Sequence, residues 1–145
     1  MTGPDAILTL VTLGVRDLAR SIAFYEAIGC KRKAKSSDGV GFFSAGQVTL
    51  AVYPLDAMAK DAGAEGDMPK GFRGVELAWN CHSEKDVDAA VERAWQAGAT
   101  VLKPPQKTFW GGYSSHFADP DGHLWEVAHN PAFPLSSDGR MQVPD

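Results

Sequence analysis

Two glutamates interrupt strand-like stretches that are otherwise largely apolar, Glu76 within residues 74–81 (GVELAWNC) and Glu126 within residues 123–129 (HLWEVAH). Side chains alternate along a strand, so Val75, Leu77 and Trp79 share one face while Glu76 and Ala78 share the other; Trp125 and Val127 likewise oppose Glu126. A carboxylate presented this way can take a proton, bind a cation or ligate a metal; it can also reach solvent or pair with an Arg or Lys. A second feature is Phe109-Trp110-Gly111-Gly112-Tyr113. Its glycines let backbone approach a ligand, and Trp110 and Tyr113 could stack on a ring, with core packing as the plainer alternative. His116 follows closely, and a lone histidine is more often packed or hydrogen-bonded than functional. No Ser-His-Asp order, phosphate-binding glycine loop or G-x-G-x-x-G occurs.

These residues need elements to hold them. Residues 7–15 (ILTLVTLGV) read as a buried strand, and Asp17 as the N-cap of a helix whose Leu18, Ile22, Tyr25 and Ile28 form one apolar stripe ending at Gly29. Lys31, Arg32, Lys33 and Lys35 are expected to be a solvated helix end or turn. Residues 40–45 and 47–53 read as strands joined at Gly46. Residues 56–71 form a small, polar, Gly-containing linker, with a helical turn allowed at its start. Beyond it come a strand, a capping-box-like start at Ser83-Glu84-Lys85-Asp86, and a second stripe of Val87, Ala90, Val91, Ala94 and Trp95 ending at Gly98. Residues 100–102 give a short strand that Pro104-Pro105 breaks. Two further strands, 113–118 and 123–129, are joined by the turn Asp119-Pro120-Asp121-Gly122. Trp79, Trp95 and Trp125 are expected in the sheet–helix core, and His82, His123 and His129 at exposed strand or turn ends. Residues 134–145 read as a surface tail.

The order repeats. Residues 11–15 match 77–81, residues 27–30 match 96–99, and residues 46–50 match 122–126, at offsets of roughly 65 to 75 residues. One domain over residues 1–133 therefore holds two modules, 6–55 and 72–130.

Composition sets the outer bounds. With 145 residues, 44% apolar and 22% charged, the chain has one domain's worth of core. A formal net charge of -4 argues against the basic face that nucleic-acid binding requires. No apolar run approaches the roughly 20 residues of a membrane span. The first residues lack the pattern of a signal peptide, and the only two cysteines, Cys30 and Cys81, show no C-x-x-C spacing. Reduced thiols in a cytoplasmic protein are the corresponding expectation.

Residues 13–25 (LGVRDLARSIAFY) resemble the opening strand and helix of the vicinal-oxygen-chelate superfamily, the group of glyoxalase I, bleomycin-resistance proteins and extradiol dioxygenases, often written V-x-D-L-x-x-S-x-x-F-Y. Residues 117–126 (FADPDGHLWE) resemble its closing D-P-D-G-x-x-x-E hairpin, and the likeness spans residues 7 to about 130. The resemblance implies an α+β fold: two βαβββ modules forming a U-shaped, mostly antiparallel sheet cup with helices outside. It also implies metal positions on the first and last strands of each module, which here fall on Leu10, Leu50, Glu76 and Glu126. Two leucines cannot ligate, and a slip of one residue brings Thr9 or Val11 and Thr49 or Ala51, none a strong ligand. The expectation is a degenerate metal site with no tightly bound cofactor, Glu76 and Glu126 remaining as candidates for a divalent ion.

If close together, Glu76 and Glu126 would repel, raising one carboxyl into the range of a general base. Three functions stay open. The first is binding of a small, aromatic or apolar molecule in a pocket of Leu10, Leu50, Trp110, Tyr113 and His116. The second is a glyoxalase-like lyase or isomerase, or a dioxygenase, with a non-standard site on Glu76, Glu126 and His116. The third is a fold-only module with a filled pocket. A homodimer is expected, with no nucleic-acid or membrane partner.

Overall fold

The computed structural model describes residues 3–66 and 68–145. The first module runs β1 (Leu10–Val15), α1 (Leu18–Ala27), β2 (Lys31–Lys33), β3 (Gly41–Ala45) and β4 (Val48–Pro54). After α2 (Leu55–Asp61), the second runs β5 (Glu76–Asn80), α3 (Glu84–Gln96), β6 (Thr100–Lys107), β7 (Tyr113–Ala118) and β8 (Leu124–His129). Each module makes a four-stranded sheet, ordered β1-β4-β3-β2 and β5-β8-β7-β6. In each, the first and last strands of the module pair parallel and the other neighbours antiparallel. The fold is thus α+β, from two βαβββ modules. No described helix is long and apolar enough to cross a membrane.

The helix termini follow from the sequence. The Asp17 side chain accepts from the Arg20 amide at 3.0 Å, and Ser83 accepts from the Asp86 amide at 3.1 Å. Gly29, at φ 107°, lets the Cys30 amide turn back onto the Tyr25 carbonyl at 3.0 Å. Gly14 serves a close approach: a Cβ there would lie 2.6 Å from Leu55 Cδ1, so α2 lies directly on β1.

Several expectations need correction. The basic cluster at residues 31–33 is strand β2, an edge strand of the first sheet. Pro104 and Pro105 do not end β6, which continues to Lys107 with shifted register. That strand also lies at a sheet edge, where a missing backbone donor is tolerated. Trp95 is 60% exposed rather than core. His123 and His129 are half-buried and face the Gly14 and Cys81 carbonyls at 2.7 and 3.1 Å. His82 is exposed.

One core serves both modules. Phe43, Leu50 and Val52 of the first sheet join Phe117, Trp125 and Val127 of the second in a single buried cluster, with α1 and α3 contributing to it. Tyr25 of α1 is fully buried, its ring 6.0 Å from both Phe43 and Trp125. Its hydroxyl donates to Asp119 Oδ2 at 2.6 Å and accepts from Trp125 Nε1 at 3.2 Å. The 119–122 turn completes the junction. Asp119 Oδ1 accepts from the Asp121 and His123 amides, while Asp121 Oδ1 accepts from the Arg16 amide at 2.9 Å and pairs with the Arg16 and Arg20 guanidinium groups.

Replacing Tyr25 with Phe keeps the ring and leaves Asp119 Oδ2 and the Trp125 N–H without this partner. Urea unfolding should show a loss of about 1–3 kcal/mol, the usual cost of a buried polar group losing its partner. An unchanged midpoint would mean that the hydroxyl does not hold the modules together.

Candidate functional site

Strand register decides which residues meet. In the parallel pair β5–β8, Ala78 stands opposite Glu126, so Glu76 sits two residues along on the same face. In the antiparallel pair β7–β8, His116 stands directly opposite Glu126. Three side chains from three adjacent strands therefore share the face turned away from the core. His116 Nε2 lies 3.3 Å from Glu76 Oε2 and 3.7 Å from Glu126 Oε2. One ligand atom from each residue falls within 4.8 Å of the other two.

The electrostatics are those of an acidic site with one basic neighbour. Burial pushes the Glu126 carboxyl up from its ordinary value, the charge of Glu76 pushes it further, and His116 partly opposes both. With His116 neutral the trio carries two negative charges, and with His116 protonated it still carries one, so a cation is attracted in either state. Donors about 2.1 Å from a divalent ion lie about 3 to 3.5 Å apart, close to the two imidazole–carboxylate separations. Two carboxylate oxygens and an imidazole nitrogen suit Mn²⁺, Fe²⁺ or Zn²⁺ better than a soft ion, and only small side-chain shifts are needed. The residues fit a metal.

The first module answers differently. Matching the sheets rung by rung places Leu10 at the position of Glu76, Phe42 at that of His116 and Ala51 at that of Glu126. Leu50 corresponds instead to Trp125; it is 3% exposed and belongs to the core. Aligning Gly46 with Gly122 shifts the register by one residue. Two residues join β3 to β4, whereas five separate Ala118 from Leu124. Tyr113 also turns from the trio's face: its hydroxyl donates to Asp88 Oδ1 of α3 at 2.7 Å. Trp110 folds over Gly112, where a Cβ would meet its ring at 1.8 Å, and neighbouring Phe109 is fully exposed. Burial pushes the Cys30 and Cys81 thiols up to about 11, so neither serves as a nucleophile at neutral pH.

The comparisons with known proteins agree with this architecture. Residues 7–127 match the model of the Glyoxalase/Bleomycin resistance protein/Dioxygenase superfamily, and the chain belongs to that superfamily. An uncharacterized protein of Mycobacterium bovis is 30% identical over 120 residues, covering 79% of this chain and 78% of the relative. The crystal structure of a glyoxalase-related enzyme from Fulvimarina pelagi superposes with a TM-score of 0.84 at 31% identity, over 96% of this chain and 99% of that one. A glyoxalase/bleomycin resistance protein/dioxygenase family enzyme from Burkholderia phytofirmans shares the fold, with a TM-score of 0.77 at 21% identity over 86% and 98% of the two chains.

A carboxyl raised by folding opposes the folded state at pH values where it must ionise, and the effect vanishes once both states are protonated. Metal-stripped Glu126→Gln should therefore melt above metal-stripped wild type at pH 7, the gap closing as pH falls through the ordinary carboxylate range. A gap that widened toward acid would mean that folding lowers the Glu126 carboxyl.

Proposed function

We propose that the Glu76–His116–Glu126 face binds a divalent cation together with a small oxygen-bearing organic molecule, and that Glu126 handles a proton of that molecule. The observation that carries this reading is the convergence of three donors from adjacent strands within 4.8 Å. A bound cation would supply polarisation of a ligand oxygen. Glu126, its carboxyl raised by burial and by Glu76, is tuned toward proton exchange nearer neutral pH than an ordinary glutamate. His116 faces both carboxylates and orients them. Leu10, 41% exposed, and half-buried Phe42 give the corresponding face of the first sheet an apolar surface suited to the organic part of a ligand, with Ala51 buried beside them. The similarity to a glyoxalase-related enzyme from Fulvimarina pelagi supports an enzymatic role, of lyase or isomerase type, with a dioxygenase as the superfamily's alternative.

A metal-free binding protein is the second reading, favoured by those same three apolar positions. A second copy of the chain is the expected partner. One core holds the helix-side faces of both sheets together; on the opposite faces Leu10 is 41% exposed and the trio is partly exposed, surface that a second copy can cover.

Isothermal titration of the metal-stripped protein with Mn²⁺ or Zn²⁺ should give about one equivalent bound, weakened about tenfold or more by Glu126→Gln or His116→Ala and unaffected by Leu10→Ala. No uptake by the wild type would sink the metal reading and leave the binding protein. Sedimentation at twice the chain mass is expected; a single-chain mass contradicts the dimer.

A further inference from the structure

A cleft of ≈ 620 Å³ lies between the two modules; of the trio only Glu76 borders it. Its volume is in the range of small-molecule sites, about 300–1,000 Å³. Ile28, Val48 and Leu50 of the first module face Leu77, Trp79 and Trp125 of the second across it. Leu8, 69% exposed, and Met141, 40% exposed, also border it, so apolar surface is open to solvent on both rims.

Apart from the Cys30 thiol, which stays neutral, its ionisable lining residues are Arg140 and Glu76. Arg140 arrives on the tail, which folds as a tight hairpin: the Ser136 amide donates to the Arg140 carbonyl and the Gln142 amide to the Pro134 carbonyl, both at 2.8 Å. Gln47 anchors this hairpin, accepting from Arg140 Nη2 at 3.1 Å and donating to Asp138 Oδ2 at 3.3 Å. The guanidinium makes no ion pair within 4.0 Å among the described residues and keeps donors free, although its charge, after the Ser136 hydroxyl, helps to lower the nearby Asp138 carboxyl. Glu76, by contrast, already faces His116 at 3.3 Å.

We propose that this cleft is a second binding site, for an amphipathic molecule with an apolar body and one carboxylate. The carboxylate pairs with Arg140, and the body lies against Trp79 and Trp125. The site shares only Glu76 with the trio, since neither Arg140 nor the apolar walls belong to it.

Decanoate is a suitable probe, with decanol and decylamine as neutral and cationic controls, followed by tryptophan fluorescence of the full chain. Decanoate should bind saturably and at least about tenfold more tightly than either control, and Arg140→Gln should remove about that factor while leaving decanol unchanged. Arg140 is exposed, so the variant should fold; Met141→Glu, on the same hairpin, should also weaken decanoate. Glu126→Gln should leave decanoate affinity as it is. Absence of saturable binding, equal affinity in Arg140→Gln, or loss of binding in Glu126→Gln would each overturn the proposal. So would a dimer that excludes decanoate until diluted to single chains, which would make a second copy the occupant.

Discussion

The pairing of β8 with β5 on one side and β7 on the other is the constraint on which the site depends. With Ala78 and His116 both opposite Glu126, the period-2 alternation brings Glu76 and His116 to the same face. A one-residue slip of β8 would send Glu126 into the core and bring Trp125 or Val127 out, at a large cost in buried apolar area. Core packing therefore fixes the chemistry: Trp125, stacked on Phe117 at 6.0 Å and hydrogen-bonded to Tyr25, sets the position of its neighbour Glu126.

The two sheets share one strand order, but their outward faces differ in chemistry. In the second, the three outward positions hold Glu76, His116 and Glu126; in the first they hold Leu10, Phe42 and Ala51. Those three apolar residues offer no ligand atom, whereas the second module's three positions each offer one. The 119–122 turn links the halves. His123 illustrates how tightly: facing the Gly14 carbonyl, its Nε2 must carry the proton, which leaves Nδ1 to accept from Arg73.

Much of this was legible in the sequence. Capping residues, the α1 stripe, the repeat and the faces of Glu76 and Glu126 follow from local chemistry and periodicity. What escaped was non-local. Leu50 falls one residue short of the position equivalent to Glu126 because glycines mark turns but do not count the residues within them. Trp95 sits about 80° around α3 from Val87 at 100° per residue, on the border of the stripe. Lys31-Arg32-Lys33 lacks an apolar face, so nothing in its composition announces a strand. His116 looks like any strand histidine until the register sets it against two carboxylates. Tyr113, three residues from His116 on the strand read as 113–118, falls on the opposite face by the same alternation that orients Glu76 and Glu126.

The candidate site is one nitrogen and two carboxylates meeting on a single module. Pulsed electron paramagnetic resonance of the Mn²⁺-loaded protein reads this directly, through the coupling of the ion to a directly bound imidazole nitrogen. The expected spectrum shows one such nitrogen, lost in His116→Ala and retained in His123→Gln and His129→Gln. No nitrogen coupling, or a coupling that survives in His116→Ala, would contradict the site described above.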